Sequence, residues 1–177
     1  MQAIVLAPTR ELALQVQTEL AKIKHHDDEF RSAAIYGGVS IDDQTRELRR
    51  GVDIFVGTTG RVLDHIQRGN IDFSAIKTVV LDEADRMLQL GFQEDVEEIL
   101  RTVKQQCKSD VQICLFSATI PHWVKSVAKT YLKQDYRIVD LAENLQNKTA
   151  KRVQHLAISC HQTNIIGALA DLCKLEG

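Results

Sequence analysis

The sequence predicts an α/β domain built on a largely parallel sheet, and three observations carry that expectation. Short apolar runs alternate with amphipathic stretches along most of the chain, a pattern that produces strand-helix-strand units rather than a bundle or a sandwich. The first run, Ala3-Ile4-Val5-Leu6-Ala7, is apolar throughout, as a buried strand should be. Later, Val96, Ile99, Leu100 and Val103 form one stripe at helical spacing, and Val124, Val127, Ala128 and Tyr131 form another.

The elements follow in order. After the first strand, Leu12, Val16, Leu20 and Ile23 recur at helical spacing, with Thr9 placed to cap and Glu11 in the first turn, where the helix dipole favours negative charge. Further strands are expected over residues 32–36, 53–56, 77–81, 111–116 and 136–139, with helices between most of them. Pro121 suits the first turn of the helix that carries Val124. Residues 141–152 lose the apolar pattern and read as a linker between a domain over 1–140 and a segment over 153–177. That segment offers a strand pattern over 153–160 and a helical face of Ile165, Ile166, Leu169, Leu172 and Cys173. One strand and one helix cannot bury a core alone, so it reads as the first unit of a second domain.

Bulk properties exclude several classes. With 44% apolar and 26% charged residues over 177 positions, the chain has the composition of a globular domain, without repeats or low-complexity tracts. The formal net charge of -2 supplies no global positive field, so any contact with nucleic acid has to be local. No apolar run approaches the ~20 residues of a membrane helix, so no membrane association is expected. The N-terminus lacks the basic region and the apolar length of a signal peptide. Cys107, Cys114, Cys160 and Cys173 form no CxxC pair and read as reduced thiols inside a cell. A zinc site from His155, Cys160, His161 and Cys173 is the competing reading, though the paired short spacings of such sites are missing.

The segment Val79-Val80-Leu81-Asp82-Glu83-Ala84-Asp85 sets two adjacent carboxylates directly after an apolar strand. In open α/β sheets ligands bind at the carboxyl ends of strands. Phosphoryl transfer needs one acid to hold Mg²⁺ near the phosphates and another to orient the attacking water, which assigns the metal to Asp82 and the water to Glu83. The plainer alternative is that Asp82 or Asp85 caps the next helix and Glu83 is solvated.

Four companions stand beside that motif: Pro8-Thr9-Arg10-Glu11-Leu12-Ala13, Gly37-Gly38, Thr58-Thr59-Gly60-Arg61 and Ser117-Ala118-Thr119. In this order and spacing the set resembles the DEAD-box ATP-dependent RNA helicases, over residues 8–119. The stretches Arg86 to Phe92 and Pro121 to Val124 also fit, and His155 to His161 is similar to the nucleolar Gu-type subfamily.

The resemblance implies a RecA-like, doubly wound, mainly parallel sheet with helices on both faces. It further implies an ATPase using ATP and Mg²⁺, stimulated by RNA, that separates duplexes or remodels ribonucleoproteins as a monomeric core. An RNA path would cross Pro8, Thr9, Arg10, Glu11, Gly37, Gly38, Thr58, Gly60 and Arg61. The physics agrees: helix N-termini and small residues suit phosphate and close backbone approach. Such contacts grip sugar and phosphate with little base preference and strong salt dependence. Taken singly, Thr9 also reads as a plain cap, Gly37-Gly38 as a turn and Arg61 as a solvated first-turn residue. Ser117 and Thr119 would couple nucleotide state to strand separation through Asp85, and Thr119 could cap a helix as well. His122 and Trp123 read as packing residues. The nucleolus follows from the subfamily likeness alone, with the cytoplasm as the alternative.

The chain departs from the family in two ways. Thr59 stands where the usual motif has proline, which frees a φ angle and adds an N-H. No G-x-x-x-x-G-K-[ST] phosphate loop is present. The chain therefore reads as a fragment that hydrolyses negligible ATP alone, with an open sheet edge and poor solubility expected. A non-catalytic module that grips RNA or a protein partner is the second reading, and an in-frame phosphate loop upstream would decide against it. A DNA helicase or another RecA-like ATPase is the third, separable by competition between RNA and DNA of equal length.

Overall fold

The computed structural model describes residues 1–23, 30–107, 110–141 and 157–175. The chain divides into two compact units, Met1–Tyr136 and Arg137–Gly177. In the first, strands β1 (Ala3–Ala7), β2 (Ser32–Ile35), β3 (Ile54–Thr58), β4 (Thr78–Leu81) and β5 (Gln112–Leu115) form one sheet in the order β2-β3-β1-β4-β5. Every pairing is parallel, with Ala7 beside Thr58 and Leu6 beside Leu81. The chain passes from β1 out to β2, returns through β3, then crosses β1 to reach β4 and β5.

Helices α1 (Arg10–Ile23), α2 (Ile41–Arg49), α3 (Thr59–Gln67), α4 (Ala84–Gln89), α5 (Gln93–Gln106) and α6 (His122–Tyr131) fill the crossovers and follow the last strand. Strand alternation sorts them onto two faces. On one face Val5, Ala7 and Val56 meet Leu12, Ala13, Val16 and Leu20 of α1. On the other, Ile4, Leu6, Phe55, Val79 and Leu81 meet Val62 of α3, Met87 of α4, the whole predicted stripe of α5, and Val124 and Val127 of α6. Apolar area removed from water on both faces holds the sheet, at roughly 25 cal/mol per Å². Ile23, expected on the α1 stripe, is 70% exposed and leaves the core.

Gly57 lets α3 seat closely on β3: a Cβ there would lie 2.4 Å from Val62 Cγ2 and 3.2 Å from the Ile35 carbonyl oxygen. Pro121 stands one residue before α6 as its N-terminal cap rather than in its first turn.

The strand expected over 136–139 does not form. Tyr136 ends the first unit and Ile138 and Val139 are 69% and 79% exposed. A four-residue apolar run becomes a strand only when a neighbouring backbone pairs with it, and β5 ends the sheet on that side.

In the second unit, a 3₁₀ turn over Gln162–Asn164 leads into α7 (Ile165–Leu175), whose Ile165, Ile166, Leu169 and Leu172 are exposed. Of the strand expected over 153–160, residues 153–156 lie outside the described residues and 157–160 are not a strand. The linker expected over 141–152 lies outside them from 142 onward. No helix among the described residues is long and apolar enough to cross a membrane.

Candidate functional site

Because all five strands run the same way, their carboxyl ends share one rim of the sheet, and each motif of the sequence leaves one of those ends. Pro8 and Thr9 follow β1, Gly37 and Gly38 follow β2, and Thr58 to Arg61 pass from β3 into α3. Asp82 to Asp85 follow β4, and Ser117 to Thr119 follow β5. The order β2-β3-β1 puts the first three loops side by side, and the order β4-β5 puts the acids beside the serine and threonine.

In the three-loop half, Thr9 caps α1: its hydroxyl accepts from Leu12 N-H at 3.3 Å and its carbonyl from Ala13 N-H at 3.1 Å. Glu11 sits exposed in the first turn, and Pro8 is buried. Arg10 lies over the Tyr36 ring, 5.1 Å from its centroid, and so reaches from the end of β1 to the end of β2. Gly38 turns with φ +83, a conformation that favours glycine.

Gly37 and Gly60 are different, since neither has a positive φ and a Cβ on either would meet no atom within 4 Å. Gly60 even lies inside α3, where glycine is a poor helix former. The fold requires no glycine at those two positions, so the free space above them is the property to be explained.

Arg61 is not solvated. Its side chain is 11% exposed, and the guanidinium donates to the Val39 carbonyl at 3.0 Å and to Gln44 Oε1 at 2.9 Å, with Asp64 3.7 Å away. Sequence reasoning missed the group behind it. Gln44 of α2 is 5% exposed, and His65 of α3 is fully buried with its Nε2 3.3 Å from Gln44 Oε1. Asn70 donates to Thr45 Oγ1 at 3.1 Å and has its amide nitrogen 3.2 Å from His65 Nδ1. Burial foremost, then the charge of Arg61, lowers the pKa of His65 against the opposing pull of Asp64. The spacing of Arg61 and His65, four apart on one helix face, was the available signal. Gln44 gave none, lying in the polar run Asp42-Asp43-Gln44-Thr45-Arg46-Glu47.

In the acid half, the backbone is pinned from both sides. Asp82 N-H donates to the Leu6 carbonyl at 3.0 Å, and Ala84 N-H to the Phe116 carbonyl at 3.0 Å. Asp82 is half-buried and accepts from Glu83 N-H at 3.0 Å. Glu83 has φ 48 and ψ 51, the one positive-φ non-glycine residue among those described. Its exposed carboxylate stands 3.9 Å from Arg86. Strain of this kind gathers at functional positions. Asp85 is the anchored acid: it accepts from the Thr119 hydroxyl at 2.7 Å, Thr119 N-H at 2.9 Å and Arg86 N-H at 3.1 Å. Ser117 Oγ in turn accepts from Asp85 N-H at 3.2 Å and donates to the Thr119 carbonyl. Burial opposes ionisation of Asp85, but the hydrogen bonds from Thr119, Ser117 and Arg86 together outweigh it and hold the carboxyl below its usual range.

Thr119 thus bonds Asp85 rather than capping α6. Trp123 packs as expected, donating to Glu97 at 2.9 Å, while His122 is exposed. Among the described residues no cluster of three or more His, Cys, Asp or Glu is placed to hold a metal. Cys160 and Cys173 of the zinc reading are exposed, and His155 lies outside the described residues.

A profile of the DEAD/DEAH box helicases matches residues 1–127. Nucleolar RNA helicase 2 of Rattus norvegicus is 45% identical over 98% of this chain and 22% of its own length. DEAD-box ATP-dependent RNA helicase 7 of Arabidopsis thaliana is 46% identical over 96% of this chain and 25% of its own. The crystal structure of a DEAD box protein from the hyperthermophile Methanococcus jannaschii superposes with a TM-score of 0.69 at 45% identity, covering 76% of this chain and 35% of that one. The chain therefore spans about a quarter or less of the curated relatives named here.

Proposed function

Because this chain belongs to the DEAD/DEAH box helicase family and has that family's RecA-like parallel sheet, we propose that it supplies the RNA-gripping rim and the acidic half of the ATP site of an ATP-dependent RNA helicase. The observation that carries the reading is the pair Gly37 and Gly60, where the fold would accept a side chain and none is present. They flank a surface bounded by the capped start of α1 and by the loop after β2. A nucleic-acid backbone needs that clearance, along with free N-H groups at helix starts. Thr9, Gly37, Gly38, Thr58 and Gly60 line this path, Pro8 and Glu11 shape the first turn beside it, and Arg10 adds charge. Arg61 serves the path by bracing the Val39 carbonyl.

At the other half, the donor set suits magnesium. Asp82 presents a hard carboxylate oxygen at a strand end, and magnesium is typically held by one or two carboxylates while keeping waters and phosphate oxygens. When bound, ATP with magnesium supplies the phosphoanhydride bond and the neutralisation of its charge. Asp82 would hold that metal through water, and Glu83 would orient the attacking water from its exposed, left-handed position. Asp85 ties the end of β4 to Ser117 and Thr119 after β5, so a shift at the acids reaches the second loop through short hydrogen bonds. In this reading the segment 153–177 opens a second domain after a linker over 141–152. The names of the relatives support the nucleolus as its place.

Phosphate release tests the proposal. The 177-residue chain alone should release negligible phosphate from ATP with or without RNA, because it carries no lysine-bearing phosphate loop. A longer protein that joins it to such a loop should be stimulated by RNA and silenced by Glu83→Gln. Full turnover by the short chain, or none by the longer one, contradicts the assignment.

A further inference from the structure

The buried polar group behind the three-loop half has no part in the chemistry above, and its hydrogen-bond directions can be read from the donors available. The Asn70 side-chain nitrogen can only donate, so His65 Nδ1, 3.2 Å from it, accepts. His65 is then the neutral Nε2-H form, and it donates to Gln44 Oε1 at 3.3 Å. A second donor, Arg61, reaches the same Gln44 oxygen at 2.9 Å. With its oxygen held by two donors, the amide of Gln44 has one orientation, and its nitrogen faces the Tyr36 carbonyl at 3.1 Å. Tyr36 is the residue before Gly37, and Arg61 is the residue after Gly60. Through Arg61 the same group also holds the Val39 carbonyl, on the far side of Gly38.

From this geometry we infer that Gln44 is a positioning residue for RNA binding. Its single amide, oriented by the His65 tautomer, sets the Gly37-Gly38 loop and the start of α3 at a fixed separation. The inference rests on the proposed RNA path, and it goes further in naming what holds that path in register. A buried amide that is free to rotate would exchange donor for acceptor and leave both Arg61 and the Tyr36 carbonyl facing a like group. Asn70 prevents this from two residues away in the network, which is why a half-buried side chain three residues past α3 matters to loops it does not touch.

The test uses the full chain, with labelled single-stranded RNA titrated at low salt and the binding-competent fraction measured by stoichiometric titration. Gln44→Met keeps the shape and removes both ties. Gln44→Glu keeps the acceptor for Arg61 and His65 but cannot donate to Tyr36. Affinity should fall in both variants, by about tenfold or more in Gln44→Met, and the competent fraction should stay near wild type. In wild-type protein the His65 ring nitrogens should report a neutral Nε2-H imidazole by NMR, and Asn70→Ala should remove that signature. Wild-type affinity in folded Gln44→Met overturns the positioning role, as does an Nδ1-H tautomer. If Gln44→Met fails to fold, the Gln44→Glu affinity and the tautomer still decide. Absence of RNA binding by the wild-type chain defeats instead the path on which the inference rests.

Discussion

The two halves of the strand-end rim handle polar groups in opposite ways. In the β2-β3-β1 half, Arg61, Gln44, His65 and Asn70 are spent on one another and on loop carbonyls, and the surface they support is bare at Gly37 and Gly60. In the β4-β5 half, Asp85 is the acid spent inward, on Ser117 and Thr119, while Asp82 and Glu83 stay at least partly open to solvent. The difference fits two kinds of ligand contact. On the proposed reading, a nucleic-acid backbone is held by clearance and main-chain groups in a set geometry, which suits a rim where Arg61 turns inward while Arg10 stays exposed. Phosphoryl transfer, on the same reading, needs free carboxylates, which suits one anchored acid beside two that stay open.

Removing the anchor should break the second half most severely. Asp85→Ala deprives the Thr119 hydroxyl and N-H and the Arg86 N-H of their acceptor, and should cost about 2–3 kcal/mol in chemical denaturation. RNA affinity should change far less than stability. Equal losses in both would merge the two halves into one.

Acid should act on the halves in two separate windows. The folded pKa of His65 lies below its ordinary value of 6.5, so the unfolded chain binds the proton first. The stability due to neutral His65 is complete above pH 6.5 and is lost as pH falls through the lowered folded value. Asp85 behaves likewise from its ordinary value of 3.8 downward, in a lower window. Melting temperature measured between pH 7.5 and 5 should therefore decline for the wild type, and His65→Gln should flatten that decline. A decline of equal slope in the variant would assign it to other groups.

Much of this arrangement was legible in the sequence. The apolar runs placed all five strands, and the stripes of α5 and α6 are buried as their spacing predicts, except that Tyr131 is only partly covered. The partnership of Asp85 with Ser117 and Thr119 is implied by the family resemblance, and their hydrogen bonds are present. What escaped was contact across long sequence separation. Gln44 and His65 are 21 residues apart and share no periodic pattern. Arg61 reads as an RNA contact, or singly as a solvated first-turn residue, because its partners lie on another helix and in the loop after β2. The run 136–139 misled for the same reason, since strand pairing depends on a neighbour that local pattern does not reveal.

Smaller effects sharpen the contrast. Glu83→Gly should relieve the left-handed backbone and stabilise the fold by about 1 kcal/mol, while abolishing hydrolysis in the longer protein. A destabilised variant would show that the Glu83 side chain supports the fold. Gly60→Ala should stabilise α3 by about 0.5–1 kcal/mol and weaken RNA binding, a gain and a loss from one methyl group.

That last variant offers the most direct test of the central claim, that the β2-β3-β1 rim is a surface shaped for a nucleic-acid backbone. Fluorescence anisotropy of two labelled RNAs of equal length and different sequence, titrated with wild type, Gly60→Ala and the exposed-lysine control Lys129→Ala, compares shape against bulk charge. Both RNAs should bind with similar affinity that weakens with salt, with a clear loss for Gly60→Ala and little change for Lys129→Ala. Wild-type affinity in Gly60→Ala, or an equal loss in Lys129→Ala, would contradict it.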